Sequence, residues 1–259
     1  MIQEAAGRLL YHTLPVKRAA VLYSAMRSGS TLLKALLGTN FEVSHLPEVQ
    51  LQEWPREKYA FYFRLWCAAR QPVVVLKKPC FYSEVPYYPF IPPISFMPIV
   101  LIRNPVDTVL SLVKRSSANK RVKLGLDTYG KSPLDYWCEV YRNIFEHFKA
   151  RPASPHIVFY EELVAEPQRV TEKLFRFLGM KNTTGVKNYE PYGKWLWGQD
   201  DAGELIRTLT VNGRPRQIDA ESHSWEEETR KSEEAAAVMR LYWNNESNYY
   251  DYLKSRSYF

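Results

Sequence analysis

Short runs of consecutive apolar residues alternate along this chain with longer stretches in which apolar positions recur every three or four residues. Ala19-Ala20-Val21-Leu22-Tyr23 leaves no polar position to face water and reads as a strand buried on both faces. It stops at Ser24-Ala25-Met26-Arg27-Ser28-Gly29-Ser30-Thr31, and Leu32 to Leu37 then reads as a helix closed by Gly38. A second helix is expected from Arg56 to Ala69, and a strand from Pro72 to Leu76 with Lys77-Lys78-Pro79 at its carboxyl end. From Phe81 to Pro98 the prolines argue against regular structure, so a long loop or lid is expected there. Ile99 to Ile102 reads as a strand running into Arg103-Asn104-Pro105, with Pro105 in the first turn of the next helix. Pro133 to Lys149 reads as helix and Ile157 to Tyr160 as strand; Glu166-Pro167 opens a helix that runs to Leu178 and is capped by Gly179. Residues 181–223 are polar and read mostly as loop, and 224–253 as a C-terminal helical region.

Strands that alternate with helices predict a parallel sheet with helices on both faces. The fold class expected is α/β: three layers, a mostly parallel central sheet flanked by helices. No repeat, low-complexity tract or linker divides the chain, and residues 1–259 are expected to form one domain.

Composition narrows the picture without deciding it. The apolar fraction is 46% and the charged fraction 24%, a globular balance that excludes intrinsic disorder. A net charge of +7 suits a polyanionic partner. No nucleic-acid module or dense basic run is present, so a nucleotide carrying several anionic groups is preferred to nucleic acid. Cys67, Cys80 and Cys138 follow neither a disulfide framework nor a metal pattern, which points to reduced thiols and a cytoplasmic setting. No signal peptide is read at the start, and no window approaches the roughly 18 apolar residues of a membrane span. His12, His45, His147, His156 and His223 lack ligand spacing, so no metal is expected. The many aromatic residues suit an aromatic-lined cleft as well as a core: 18 Tyr, 12 Phe and 7 Trp.

The loop from Ser24 to Thr31 has the strand–loop–helix setting of the phosphate-binding P-loop, G-x-x-x-x-G-K-[ST]. Gly29 and Thr31 match, while Ser24 replaces the first glycine and Ser30 the lysine that serves the outer phosphates of ATP. Successive N–H groups at the start of a helix still converge on one anion, and the hydroxyls of Ser28, Ser30 and Thr31 add donors. A serine-rich turn before a core helix would have the same sequence. A second segment, Val100 to Ser111, puts Arg103 at a strand's carboxyl end, where open α/β sheets bind ligands, and Ser111 two turns into the following helix. A guanidinium there offers forked donors to a phosphate, or simply a surface ion pair.

Taken together, these segments resemble the sulfotransferase family that uses 3′-phosphoadenosine 5′-phosphosulfate (PAPS), a family of P-loop nucleotide-binding fold. Tyr23 to Leu32 is similar to its 5′-phosphosulfate loop, and Ile102-Arg103-Asn104-Pro105-Val106-Asp107 through Ser111 to its 3′-phosphate motif. Phe159-Tyr160-Glu161-Glu162-Leu163, with Glu166-Pro167 and Phe177-Leu178-Gly179, is similar to a later segment of the family. The resemblance implies that Arg27, Ser28, Gly29, Ser30, Thr31 and Leu32 hold the 5′-phosphosulfate, and that Arg103 and Ser111 hold the 3′-phosphate. Arg214 or Arg216 would close over that phosphate, with a solvated basic turn as the alternative. The product would be 3′,5′-ADP, and no metal is needed.

Sulfuryl transfer, like phosphoryl transfer, needs positioning, cations on the oxygens and a base for the acceptor proton. Lys77 and Lys78, at a strand's carboxyl end, are placed to supply the charge unless they are simply surface lysines; Lys77, with Arg27, is the preferred source. Small-molecule members carry Lys-Thr-His where this chain has Lys77-Lys78-Pro79, so the histidine base is missing. Leu46 to Glu53 resembles the segment that carries a catalytic glutamate in the tyrosine-sulfating branch. By that match Glu53 is the expected base, with Glu48 and His45 as alternatives. The loop 81–90, Trp195 and Trp197 are candidate acceptor walls for a small-molecule or carbohydrate acceptor. A P-loop small-molecule or nucleotide kinase and a non-catalytic PAPS-binding homologue are the competing functions. The acceptor and the oligomeric state are not encoded in any motif found.

Overall fold

A computed structural model of the chain describes residues 2–45, 57–77, 85, 94–118, 132–149 and 154–187. In β1 (Arg18–Tyr23) successive side chains turn to opposite faces, and both faces are covered. Ala19, Val21 and Tyr23 enter one apolar cluster and Ala20 and Leu22 another, which is why the run has no polar position.

Four parallel strands join β1: β2 (Val43–His45), β3 (Val73–Lys77), β4 (Ser95–Ile102) and β5 (His156–Phe159). Their order across the sheet is β2-β3-β1-β4-β5. The register pairs Leu22 with Lys77 on one side and with Ile99 on the other. The chain builds first toward β2 and β3, then crosses to β4 and β5. This reversal opens a crevice beyond the carboxyl ends of β1 and β4, the place where such sheets take ligands.

One face is covered by α3 (Lys58–Ala68), α4 (Pro105–Ala118) and α5 (Pro133–Lys149), through residues such as Phe61, Leu65, Val109, Tyr136 and Ile144. The other is covered by α2 (Ser30–Leu37) and α7 (Pro167–Phe177), with Leu33, Leu36, Leu37, Leu174 and Phe175 in contact with the sheet. Each fully buried aliphatic side chain of this kind stabilises the fold by about 1.5–3 kcal/mol. Between β5 and α7 lies α6 (Tyr160–Ala165). The three-layer parallel α/β fold expected from the sequence is the fold observed.

The ends of several elements differ from expectation. The strand expected at 99–102 begins at Ser95, so residues 95–98 belong to the sheet and not to the lid. Pro98 is tolerated because β5 joins only opposite Ile99; before that point β4 has one neighbour. The rest of the expected lid, Val85 and Ile94 apart, lies outside the described residues, as do residues 188–259. Tyr160 opens α6 rather than closing β5. Gly38 keeps a right-handed conformation, whereas Gly179 takes the left-handed one (φ 61°) that ends α7.

The sequence reading missed α1 (Ile2–Leu10), which packs on α3. A Cβ on Gly7 would lie 1.8 Å from the Tyr59 carbonyl oxygen, so only glycine lets these helices approach so closely. A Glu4 carboxylate oxygen accepts the Ala60 N–H in the first turn of α3 at 2.8 Å, which caps that helix from outside.

Candidate functional site

The loop between β1 and α2 is built on two left-handed residues, Arg27 (φ 68°) and Gly29 (φ 86°). A non-glycine residue in that region costs about 1–2 kcal/mol and signals a backbone held for a purpose. Alternation of hand at Arg27, Ser28 and Gly29 turns successive N–H groups inward, as in an anion nest. They meet the N–H groups of the first turn of α2, which have no acceptor within the helix. Gly29 is demanded twice: by its φ, and by the Tyr160 ring, which would lie 2.3 Å from a Cβ.

Four predicted loop residues take different places. Thr31 faces the site, and its Oγ1 accepts from Lys77 Nζ at 2.7 Å. Lys77, the last residue of β3, is only 5% exposed, so its ammonium is held beside the positive end of α2. Ser28 does not present its hydroxyl to a ligand. Tyr141 donates its proton to the Leu101 carbonyl (2.8 Å), so the Ser28 hydroxyl donates to the Tyr141 oxygen (2.9 Å) in the core. Leu32 is buried, and only its backbone is available. The side chain of Ser30 is buried at the helix start.

Arg103 follows β4 and Ser111 sits two turns into α4. The local sequence explains this start: Asn104 is the N-cap, Pro105 the first helical residue, and the Asn104 Oδ1 accepts the Asp107 N–H at 2.9 Å. Arg103 Nη1 donates to the Arg27 carbonyl at 3.1 Å. Its Nη2 stands 3.7 Å from an Asp107 carboxylate oxygen, and its guanidinium lies 4.6 Å from the centre of the Tyr160 ring. Its Nε is buried with no hydrogen-bond partner among the described residues. Arg27 Nε donates to Ser111 Oγ at 3.0 Å. The structure therefore brings Arg27, Arg103 and Ser111 together, although the sequence reading assigned Arg27 to the other end of the ligand.

Two residues of this site were missed. Tyr160 touches both segments, lying against Gly29 and over Arg103. Glu161 is buried, and its Oε1 accepts from both the backbone N–H (2.8 Å) and the side-chain amide (2.9 Å) of Asn104. Burial pushes the Glu161 carboxyl above its ordinary range, against the opposing pull of the Asn104 hydrogen bonds and the Arg103 charge. The Tyr160-Glu161 pair was visible in sequence only as part of a family-like segment; nothing local told that a strand would end there and turn both side chains to Asn104 and Arg103.

Glu53, Glu48, Lys78, Arg214, Arg216, Trp195 and Trp197 lie outside the described residues, and so does the side chain of His45 at the end of β2. Among the described residues no group of three or more His, Cys, Asp and Glu is arranged to hold a metal ion. None of their helices is long and apolar enough to cross a membrane.

Residues 97–184, from within β4 to just beyond α7, match the model of the Sulfotransferase family. The match contains Arg103, Ser111, Tyr160 and Glu161, and it bears out the resemblance to sulfotransferases; it indicates sulfuryl transfer. Comparison with curated protein sequences gives no match. Among solved structures, the chain is similar to a sulfotransferase from Alicyclobacillus acidocaldarius, with a TM-score of 0.51 at 14% identity over 88% of this chain and 96% of that one. That likeness is one of fold. A sulfotransferase domain from the curacin biosynthetic pathway aligns at 18% identity and a TM-score of 0.43, over 79% of this chain and 94% of that one. One from the Synechococcus PCC 7002 olefin synthase aligns at 17% and 0.41, over 83% and 95%.

Proposed function

We propose that this chain transfers the sulfuryl group of PAPS to a hydroxyl or amine of a small-molecule or carbohydrate acceptor by in-line displacement. The observation that carries the reading is the meeting of two anion-binding elements at one crevice: the loop 24–31 at the start of α2, and Arg103 with Ser111 at the start of α4. A nucleotide with anionic groups on both 5′ and 3′ positions needs two such elements; ADP or ATP needs one. The residues fit that ligand. Arg103 keeps a buried Nε without a described acceptor, and the nest around Gly29 has no room for a Cβ.

In this reading the loop N–H groups and the first turn of α2 hold the 5′-phosphosulfate, and Arg103 and Ser111 the 3′-phosphate. Lys77, fixed on Thr31, supplies positive charge where the bond to the leaving phosphate oxygen breaks. The acceptor oxygen or nitrogen bonds to sulfur, the sulfur–phosphate oxygen bond breaks, and 3′,5′-ADP departs. The acceptor proton passes to a base, for which the resemblance to the glutamate-base branches nominates Glu53. Arg216 is a candidate to close over the 3′-phosphate. The three cysteines, Cys67, Cys80 and Cys138, follow no disulfide framework in the sequence, which supports a cytoplasmic setting.

Calorimetric titration with 3′,5′-ADP, ADP and ATP tests the reading. Tight binding of 3′,5′-ADP that collapses in Arg103→Ala is expected; preference for ATP, or no binding of any of them, overturns it. Glu53→Gln should abolish turnover and leave 3′,5′-ADP affinity intact, which separates an enzyme from a binding protein of the same fold.

A further inference from the structure

Three aromatic residues of helix α5 are tied to both anion-binding elements. The Tyr136 hydroxyl accepts the Met26 N–H at 2.8 Å. Trp137 Nε1 donates to the Arg103 carbonyl at 3.1 Å. The Tyr141 hydroxyl donates to the Leu101 carbonyl at 2.8 Å and receives the Ser28 hydroxyl at 2.9 Å. All three side chains are fully buried, and the Trp137 and Tyr141 rings pack at 4.9 Å. At about 100° per residue they occupy a single arc of the helix, roughly 140° wide.

A buried Tyr or Trp needs a polar partner wherever it sits. Here, however, the partners converge: Met26 and Ser28 belong to the 5′ loop, and Arg103 to the 3′ element, with Leu101 two residues before it in β4. The connections also close on themselves. From Tyr136 the path runs to Met26, along the chain to Arg27, through its carbonyl to Arg103 Nη1, from the Arg103 carbonyl to Trp137, and back to Tyr136. A closed ring of hydrogen bonds and covalent bonds resists changes in its own dimensions, so neither element can shift without the other.

We propose that Tyr136, Trp137 and Tyr141 are positioning residues that fix the separation of the two anion-binding elements, and thereby select a nucleotide with anionic groups at both ends. This inference rests on the donor-site reading given above. A ligand with one anionic group can follow whichever element moves. A ligand with two gains its full affinity only where both elements stand at the right distance together.

The test uses the full chain and the variants Tyr136→Phe and Tyr141→Phe, each of which removes one hydroxyl and keeps the ring. Dissociation constants are measured for 3′,5′-ADP and for 5′-AMP, alongside thermal melting. In the wild type, 3′,5′-ADP should bind more tightly than 5′-AMP. In each variant that advantage should shrink by about fivefold to tenfold, the worth of one hydrogen bond, with 5′-AMP affinity held within about twofold. If both ligands weaken by the same factor, or the melting temperature falls while the advantage is unchanged, the residues are structural only and the proposal fails by itself. If the wild type shows no preference for 3′,5′-ADP, the donor-site reading fails and this inference goes with it. Should one variant not fold, the other decides the matter alone.

Discussion

Arg27 and Ser111, 84 residues apart in sequence, are joined by a hydrogen bond of 3.0 Å from the arginine Nε to the serine Oγ. A serine hydroxyl has one proton and two lone pairs. Once Oγ accepts from a guanidinium, its own proton points elsewhere, and the group is left oriented as a donor. Arg27 therefore supports the start of α4 as well as the loop that contains it.

Ser111→Ala should weaken 3′,5′-ADP by about tenfold or more, the range for a hydrogen bond to a charged group. Binding of 5′-AMP, which lacks the 3′-phosphate, should be unaffected. Equal loss for both nucleotides in a calorimetric comparison would show that Ser111 acts by holding Arg27 in place rather than by contacting the 3′-phosphate.

Lys77→Met retains most of the buried stem and removes the ammonium that bonds to Thr31. Sulfuryl transfer should slow by about a hundredfold to a thousandfold, the usual consequence of losing a group that stabilises developing charge. Affinity for 3′,5′-ADP should change far less. Release of 3′,5′-ADP from PAPS over time, with and without a trial acceptor, measures the first; direct titration measures the second.

Gly29→Ala meets two obstacles, the left-handed φ of 86° and the Tyr160 ring. A cost of about 1–3 kcal/mol in folding stability from the backbone strain is expected even where space is made. Adding Tyr160→Ala should therefore recover only the steric part of the loss, when thermal or denaturant unfolding of the single and double variants is compared. Full recovery would mean that φ at this position is unimportant.

Glu161 makes a prediction about pH. Burial raises its folded pKa above the ordinary value of 4.5, so the folded state holds the proton more tightly than the unfolded chain. Its contribution to stability is greatest at or below the ordinary value, falls as pH rises toward the folded value, and is flat above it. In Glu161→Gln the amide oxygen still accepts both Asn104 hydrogen bonds. The variant should lose this decline, and its stability relative to wild type should increase as pH rises through that window. His156 acts in the opposite sense: burial, with Lys173 nearby, lowers its pKa, so its contribution is full above 6.5 and fades as the solution is acidified. Measuring the difference between wild type and Glu161→Gln, rather than wild type alone, cancels the histidine.

Much of this arrangement is legible in one dimension. A strand segment that must be buried on both faces has no polar residue, and Ala19 to Leu22 of β1 has none; a helix that starts with Asn104, Pro105 and Asp107 announces its cap locally. The start of β4 at Ser95 is not legible in the sequence, because the effect of a proline depends on its surroundings. Whether Pro98 breaks a strand depends on whether a neighbour needs its N–H, and that neighbour, β5, lies far along the chain.

Candidate anion-binding groups can be picked out for the same reason: glycine where φ is positive, hydroxyls and amides at a helix start, an arginine at a strand end are local requirements with local signatures. What local signatures cannot carry is which groups face one another. Ser28 and Ser30 stand on either side of Gly29, yet the Ser28 hydroxyl is turned into the core by Tyr141, 113 residues away. Arg27 reaches Ser111, and Tyr160 closes over Gly29 and Arg103 together. Side-chain direction in a close-packed interior is set by whatever occupies the adjoining space. That is a property of strand order and helix placement, and it enters only when β1, β4 and α5 have come together.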